Sequence, residues 1–96
     1  MSRAAAPDYR DTFDVIAANV KRIRGRKMMD QQALARAAGV ARETVSRIET
    51  SKNFSVRSLV KIARALGIDP EDLFLTDEDR AEITYKQKRL WEKLNI

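Results

Sequence analysis

The chain has 96 residues, 44% of them hydrophobic and 34% charged, with a formal net charge of +5. That length suits one domain with one modest core, and the composition is globular rather than disordered. Cysteine and histidine are both absent, which removes a disulfide framework, a thiolate metal site, the commonest general base and the commonest transition-metal ligand. No apolar run nears the roughly 18 residues of a membrane span, and Met1–Asp8 lacks the apolar centre of a signal peptide. The expectation is a cytoplasmic protein that uses no metal and no cofactor. Catalysis finds no support, because neither a phosphate-binding glycine loop nor a nucleophile–base pair is present. The charge is unevenly spread. Residues 15–64 hold twelve basic and three acidic side chains, whereas residues 65–96 hold five basic and eight acidic ones. A basic block followed by an acidic segment suits a surface that meets a polyanion, although a solvated basic surface fits the charge alone equally well.

Helical periodicity dominates and strand-like alternation is nearly absent, so the chain reads as all-α. Residues 1–10 read as a flexible N-terminal arm. A first helix is expected from about Thr12 to Arg26, with Phe13, Ile16, Ala17, Val20 and Ile23 on one face. Asp30 reads as the N-cap of a second helix, about Gln31 to Ala38, which buries Leu34 and Ala35 and ends at Gly39. A third helix runs from about Arg42 to Thr50 with Val45 and Ile48 inward. Ser55 caps a fourth, about Val56 to Leu66, closed by Gly67. Asp69-Pro70 opens a short fifth through Leu73 and Phe74, proline being favoured at a first helical position. The last helix, about Asp77 to Leu94, has acids near its start and Lys86, Lys88, Arg89 and Lys93 near its end, an order that suits the helix dipole.

The segment Asp30–Glu49 reads as helix, glycine turn, helix. The small side chains of Ala35 and Ala38 allow the steep, close crossing of a helix-turn-helix. The outer face of its second helix carries Arg42, Glu43, Ser46 and Arg47.

Over residues 15–75 the chain resembles the phage repressor and Cro-type (xenobiotic-response-element-type) helix-turn-helix DNA-binding domains. The residues that carry the likeness are Val20-Lys21-Arg22-Ile23-Arg24, Asp30-Gln31-Gln32-Ala33-Leu34-Ala35, Ala38-Gly39-Val40, Thr44-Val45-Ser46-Arg47-Ile48-Glu49, Leu59 to Ile68, and Leu73-Phe74. The resemblance implies a compact five-helix repressor-like domain over residues 11–76, with residues 77–96 as an additional C-terminal helix. Three positions depart from the family pattern. Asp30 replaces the usual Ser or Thr cap, Ala41 replaces a Ser or Thr that caps the third helix, and Ser51 replaces the glycine that ends it.

By the same resemblance the third helix is the recognition helix and enters the major groove. Ala41, Arg42, Glu43, Ser46 and Arg47 are then the base-reading candidates. Arginine donates twice to guanine and glutamate accepts from the cytosine amino group, which suggests a G·C-containing half-site; Ala41 could touch a thymine methyl. An alternative for Glu43 is an ion pair with Arg47 on its own helix. Gln31 matches the family's phosphate-contacting glutamine, and Lys52, Asn53 and Arg57 are further phosphate candidates. Arg24 and Glu49 are implied to form a structural ion pair.

On the last helix, Ile83, Gln87, Leu90 and Leu94 form a stripe flanked by Tyr85 and Trp91. It either packs back on its own domain or forms a dimer interface. The candidate interface residues are Leu73 and Leu75 of the fifth helix with Ile83, Leu90, Trp91 and Leu94 of the last. The expected partners are double-stranded DNA and a second copy of the chain, placing the protein with the nucleoid. A stand-alone regulator binding a palindromic operator, such as a repressor or a restriction–modification controller, is the leading reading. The alternative is an antitoxin that binds its operator and a toxin or other protein; a module that binds only protein fits less well. Control by a small effector is not expected, because no sensing domain is present.

Overall fold

The computed structural model describes residues 9–94. It is all-α: α1 (Tyr9–Arg26), α2 (Gln31–Ala38), α3 (Arg42–Glu49), α4 (Val56–Leu66), a 3₁₀ turn (Pro70–Phe74) and α5 (Asp77–Leu94). Two boundaries differ from the sequence reading. Helix α1 already includes Tyr9 and Arg10, so these two do not belong to an arm; residues 1–8 of that arm lie outside the described residues. The short fifth helix is a 3₁₀ turn, in keeping with its five residues.

The local signals act as their chemistry dictates. The Asp30 Oδ1 accepts from the Ala33 amide at 2.7 Å and caps α2. Ser55 Oγ accepts from the Ser58 amide at 3.0 Å and caps α4. Gly39 closes α2 with φ 71°, a left-handed conformation that costs glycine nothing. Thr76 and Asp79 form a reciprocal capping pair at the start of α5, each side chain accepting the other's backbone N–H at 3.0 Å.

The core is one cluster. Ile16 and Val20 of α1 meet Leu34 and Ala35 of α2, Val45 and Ile48 of α3, and Leu59, Ile62, Ala63 and Leu66 of α4. Leu73 of the 3₁₀ turn completes it with no exposed surface. That position corrects one expectation: a side chain buried in its own protomer cannot face a partner, so Leu73 does not belong to a dimer interface. Phe13 and Phe54 pack as a tilted pair at the edge of the core, with ring centroids 5.3 Å apart and planes 42° from parallel.

Helix α5 also differs from the reading in which its stripe packs back on the domain. None of its residues is buried, and Ile83, Leu90, Trp91 and Leu94 are 42%, 58%, 65% and 74% exposed. The domain holds only its first turns. The anchor is Asn19, a polar residue inside the apolar face of α1 and 3% exposed. Its amide Nδ2 donates to the carbonyls of Leu73 at 2.8 Å and Leu75 at 2.9 Å. Its Oδ1 accepts from Arg22 at 3.2 Å and from Arg80 at 3.1 Å. Arg80 adds a bond to the Leu75 carbonyl at 2.9 Å and an ion pair with Asp77. One amide thus binds α1, the 3₁₀ turn and α5 together. Replacing Asn19 by Leu orphans the buried carbonyl of Leu73, while that of Leu75 keeps Arg80, at about 1–3 kcal/mol for a buried unsatisfied group. Urea unfolding of Asn19→Leu should show a loss of roughly that size, and amide exchange at the start of α5 should quicken.

Candidate nucleic-acid interface

The α2–turn–α3 unit sets α3 on the outside of the core with Val45 and Ile48 inward. Its opposite face carries Arg42, Glu43, Ser46 and Arg47. Together with Thr50 and Lys52 these line a shallow hollow of about 370 Å³. A second hollow of about 380 Å³ lies where the start of α2 meets the start of α3, lined by Arg24, Asp30, Gln31, Gln32 and Arg42. Arg42 belongs to both.

A buried carboxylate holds this surface in place. The Glu49 side chain is 1% exposed and Arg24 grips it in a fork. Arg24 Nε donates to Oε2 at 2.7 Å and Nη2 to Oε1 at 2.9 Å. Nη1 of the same guanidinium donates to the Met29 carbonyl at 2.8 Å, closing the loop before α2. Gln31 Nε2 donates to Glu49 Oε1 at 3.0 Å, and its Oε1 accepts from Arg42 Nη1 at 3.2 Å. An ordered chain therefore runs from α1 through the end of α3 and the start of α2 to the first residue of α3. Hydrogen bonding to Glu49 raises Arg24 above the ordinary guanidinium value, so the cation persists at every working pH.

The two ends of α3 bear out the departures read in the sequence. Ala41 gives its first turn no side-chain cap. Ser51 takes the left-handed conformation, φ 61°, where glycine would sit without strain. Its hydroxyl donates to Asp14 Oδ1 at 2.5 Å, which offsets part of that strain and ties the end of α3 to α1. The Lys52 amide bonds the Arg47 carbonyl at 2.8 Å and completes the turn.

These features agree with what the comparisons show. A family model described as Helix-turn-helix matches residues 20–73. The chain belongs to the Cro/C1-type helix-turn-helix family. The hypothetical transcription factor of Neisseria meningitidis is 33% identical over 81 residues, covering 83% of this chain and 76% of that protein. The crystal structure of a Neisseria hypothetical transcription factor, NHTF, superposes with a TM-score of 0.72 at 32% identity, over 86% of this chain and 97% of that one. The restriction-modification controller protein C.AhdI of Aeromonas hydrophila superposes with a TM-score of 0.61 at 30% identity, over 65% of this chain and 96% of that one. The HTH-type transcriptional regulator PrtR of Pseudomonas aeruginosa is 39% identical over 57 residues, 59% of this chain. The match spans only 22% of PrtR.

In this helix-turn-helix protein the structure gathers Arg42, Glu43, Ser46, Arg47 and Lys52 around one hollow and brings Gln31 beside Arg42. Ala41, Asn53 and Arg57 are exposed but line neither hollow. Among the described residues Glu43 makes no ion pair with Arg47, so the side chains of both stand open to solvent. The direct bond from Gln31 to Glu49 was not anticipated. Its only sequence signal is that Gln31 follows the cap and so projects from the first turn of α2.

Because Arg24 and Gln31 both spend donors on Glu49, Glu49→Ala leaves a partly buried guanidinium unpaired. It should destabilise the fold by about 3–5 kcal/mol, the range for breaking one side of a buried pair. Replacing Arg24 and Glu49 together by Met should cost much less in the same thermal or urea unfolding measurement.

Proposed function

We propose that this chain is a sequence-specific double-stranded DNA-binding transcriptional regulator that acts on a near-palindromic operator as a homodimer. The observation that carries the reading is the outer face of α3. Arg42, Glu43 and Arg47 lie exposed around one hollow, on a helix whose base is locked by buried Glu49. A helix held this firmly can present its side chains to base edges without paying to order them. Arg42, Glu43, Ser46 and Arg47 read the major groove, with Ala41 against a thymine methyl. Gln31, Lys52, Asn53 and Arg57 contact phosphate, Gln31 from the start of α2, where free amides favour an anion.

The dimer follows from energy. One short recognition helix makes two or three base contacts, each worth about 1–3 kcal/mol. Two half-sites about one helical turn, roughly 34 Å, apart double that discrimination. Leu75, Ile83, Leu90, Trp91 and Leu94 remain the interface candidates. The similarity to the restriction-modification controller C.AhdI favours a compact stand-alone regulator. An antitoxin role is the second reading, because the exposed apolar length of α5 would equally suit a different protein partner.

Selection of bound sites from random DNA should return a palindrome with that spacing; recovery of no preferred sequence would overturn the proposal. On the selected site Arg47→Ala should lose about 1–3 kcal/mol and relax the preference at one or two base pairs per half-site. An equal loss on random DNA would assign Arg47 to phosphate. Binding should weaken steeply with salt as counterions are released, and Arg57→Ala should flatten the salt slope by about one unit without changing sequence preference.

A further inference from the structure

The exposed stripe of α5 lies on a helix of divided charge. Residues 69–82, spanning the 3₁₀ turn and the first part of α5, hold seven acidic side chains and one basic. Residues 83–94 hold four basic side chains and one acidic. Helical spacing sets Asp79 and Lys86 along one shoulder of the stripe, so that shoulder runs from acidic to basic; the other carries Arg80, already paired with Asp77, and Trp91.

We infer that α5 pairs with α5 of a second copy in antiparallel register about a two-fold axis beside Ile83. The inference rests on the homodimer reading and specifies its interface. In an antiparallel pair each shoulder faces the same shoulder of its partner in reverse. Asp79 then meets the partner's Lys86, once on each side of the axis. A parallel pair would set the acidic half of each helix beside the acidic half of the other, which is destabilising. Lys86 already sits 3.7 Å from Glu82 on its own helix, an exposed pair that leaves its ammonium able to serve both.

The same register accounts for the apolar surface. Beyond the axis, the partner's Leu90 and Leu94 run back over Leu75 and Phe74, the latter 45% exposed. Leu75 and Ile83 are walls of a cleft of about 640 Å³ that also includes Ile23, Leu66 and Ile68, so apolar surface continues from the body of the domain onto α5. Arg22, Arg26 and Lys27 form the cationic side of that cleft. Burial and the nearby Arg80 and Arg26 hold Arg22 below the ordinary guanidinium value. The register brings the partner's basic C-terminal half toward the acidic 3₁₀ turn. It also explains how a stripe with no buried residue in the protomer, on a well-capped helix, becomes covered.

The absence of native cysteine makes the register measurable by disulfide trapping. Ile83→Cys should oxidise to a covalent homodimer, because the axis brings the two positions together. Leu94→Cys should not trap with itself but should trap when mixed with Phe74→Cys. Reversing the charge in Lys86→Glu should raise the dimer dissociation constant by at least about tenfold in sedimentation equilibrium, because the like charge then appears at both symmetric contacts. Circular dichroism checks that the helix remains. Self-trapping of Leu94→Cys would overturn the antiparallel register in favour of a parallel one. A wild-type dimer unaffected by any of these changes would place the interface elsewhere and leave the dimer reading standing. A wild-type chain that is monomeric both free and on its selected DNA would overturn the dimer reading itself.

Discussion

The Glu49 carboxylate is the point on which the exposed face of α3 depends. A carboxylate removed from water is costly unless nearly every lone pair is used. Glu49 meets that demand with the fork of Arg24 and the amide of Gln31. Each donor comes from a different helix, so the same bonds that satisfy the charge also fix the angle between α1, α2 and α3. Gln31 carries the constraint onward, because its second amide atom holds Arg42 at the opening of the recognition helix. The position of an exposed arginine is thereby tied to a buried acid seven residues along the same helix.

Just past the Glu49 end of α3 sits a weaker device of the same kind. Ser51 occupies a backbone conformation that carries a side-chain penalty of roughly 1–2 kcal/mol. Its hydroxyl bond to Asp14 ties that strained residue to α1, and the turn closed by the Lys52 amide ties it to α3. Three residues on, Phe54 packs against Phe13 of α1 as a tilted pair. An eight-residue helix too short to be stable alone is therefore anchored twice to α1 at its C-terminal end and once to α2 at its N-terminal end.

Much of this was legible in the sequence because it follows from short-range chemistry. Asp30, Ser55, Gly39 and Gly67 each announce a helix end by a bond to, or a turn of, the adjacent backbone. The limits of α2 and α4 follow from them. The core positions follow from the 3.6-residue period. The acid–base pairing of Arg24 with Glu49 came through family resemblance, since nothing local links residues 25 apart. What escaped were features decided at long range. Asn19 sits in the apolar face of α1, and its two carbonyl partners lie more than fifty residues away; a polar residue at a core position was the only signal. The burial of Leu73 was misjudged because periodicity in a five-residue turn does not say which side faces inward. The stripe on α5 was recognised, but its direction depends on the tertiary bonds of Arg80 and Asn19.

Those bonds give α5 a role distinct from that of the core. The groups that orient it, Asn19 and Arg80, also hold the carbonyls of Leu73 and Leu75 at the end of the domain. Leu73 in turn packs against the core that supports α3. The direction in which α5 leaves the domain is thus set from the same rigid body that sets the direction of Arg42 and Arg47. On the dimer reading, the separation of the two recognition helices is a product of these two angles, with few free torsions between them. A small change at Asn19 would then alter half-site spacing without touching any residue that faces DNA. Affinity for a single half-site would stay the same, while affinity for the paired operator would fall because both helices could no longer seat in successive grooves at once.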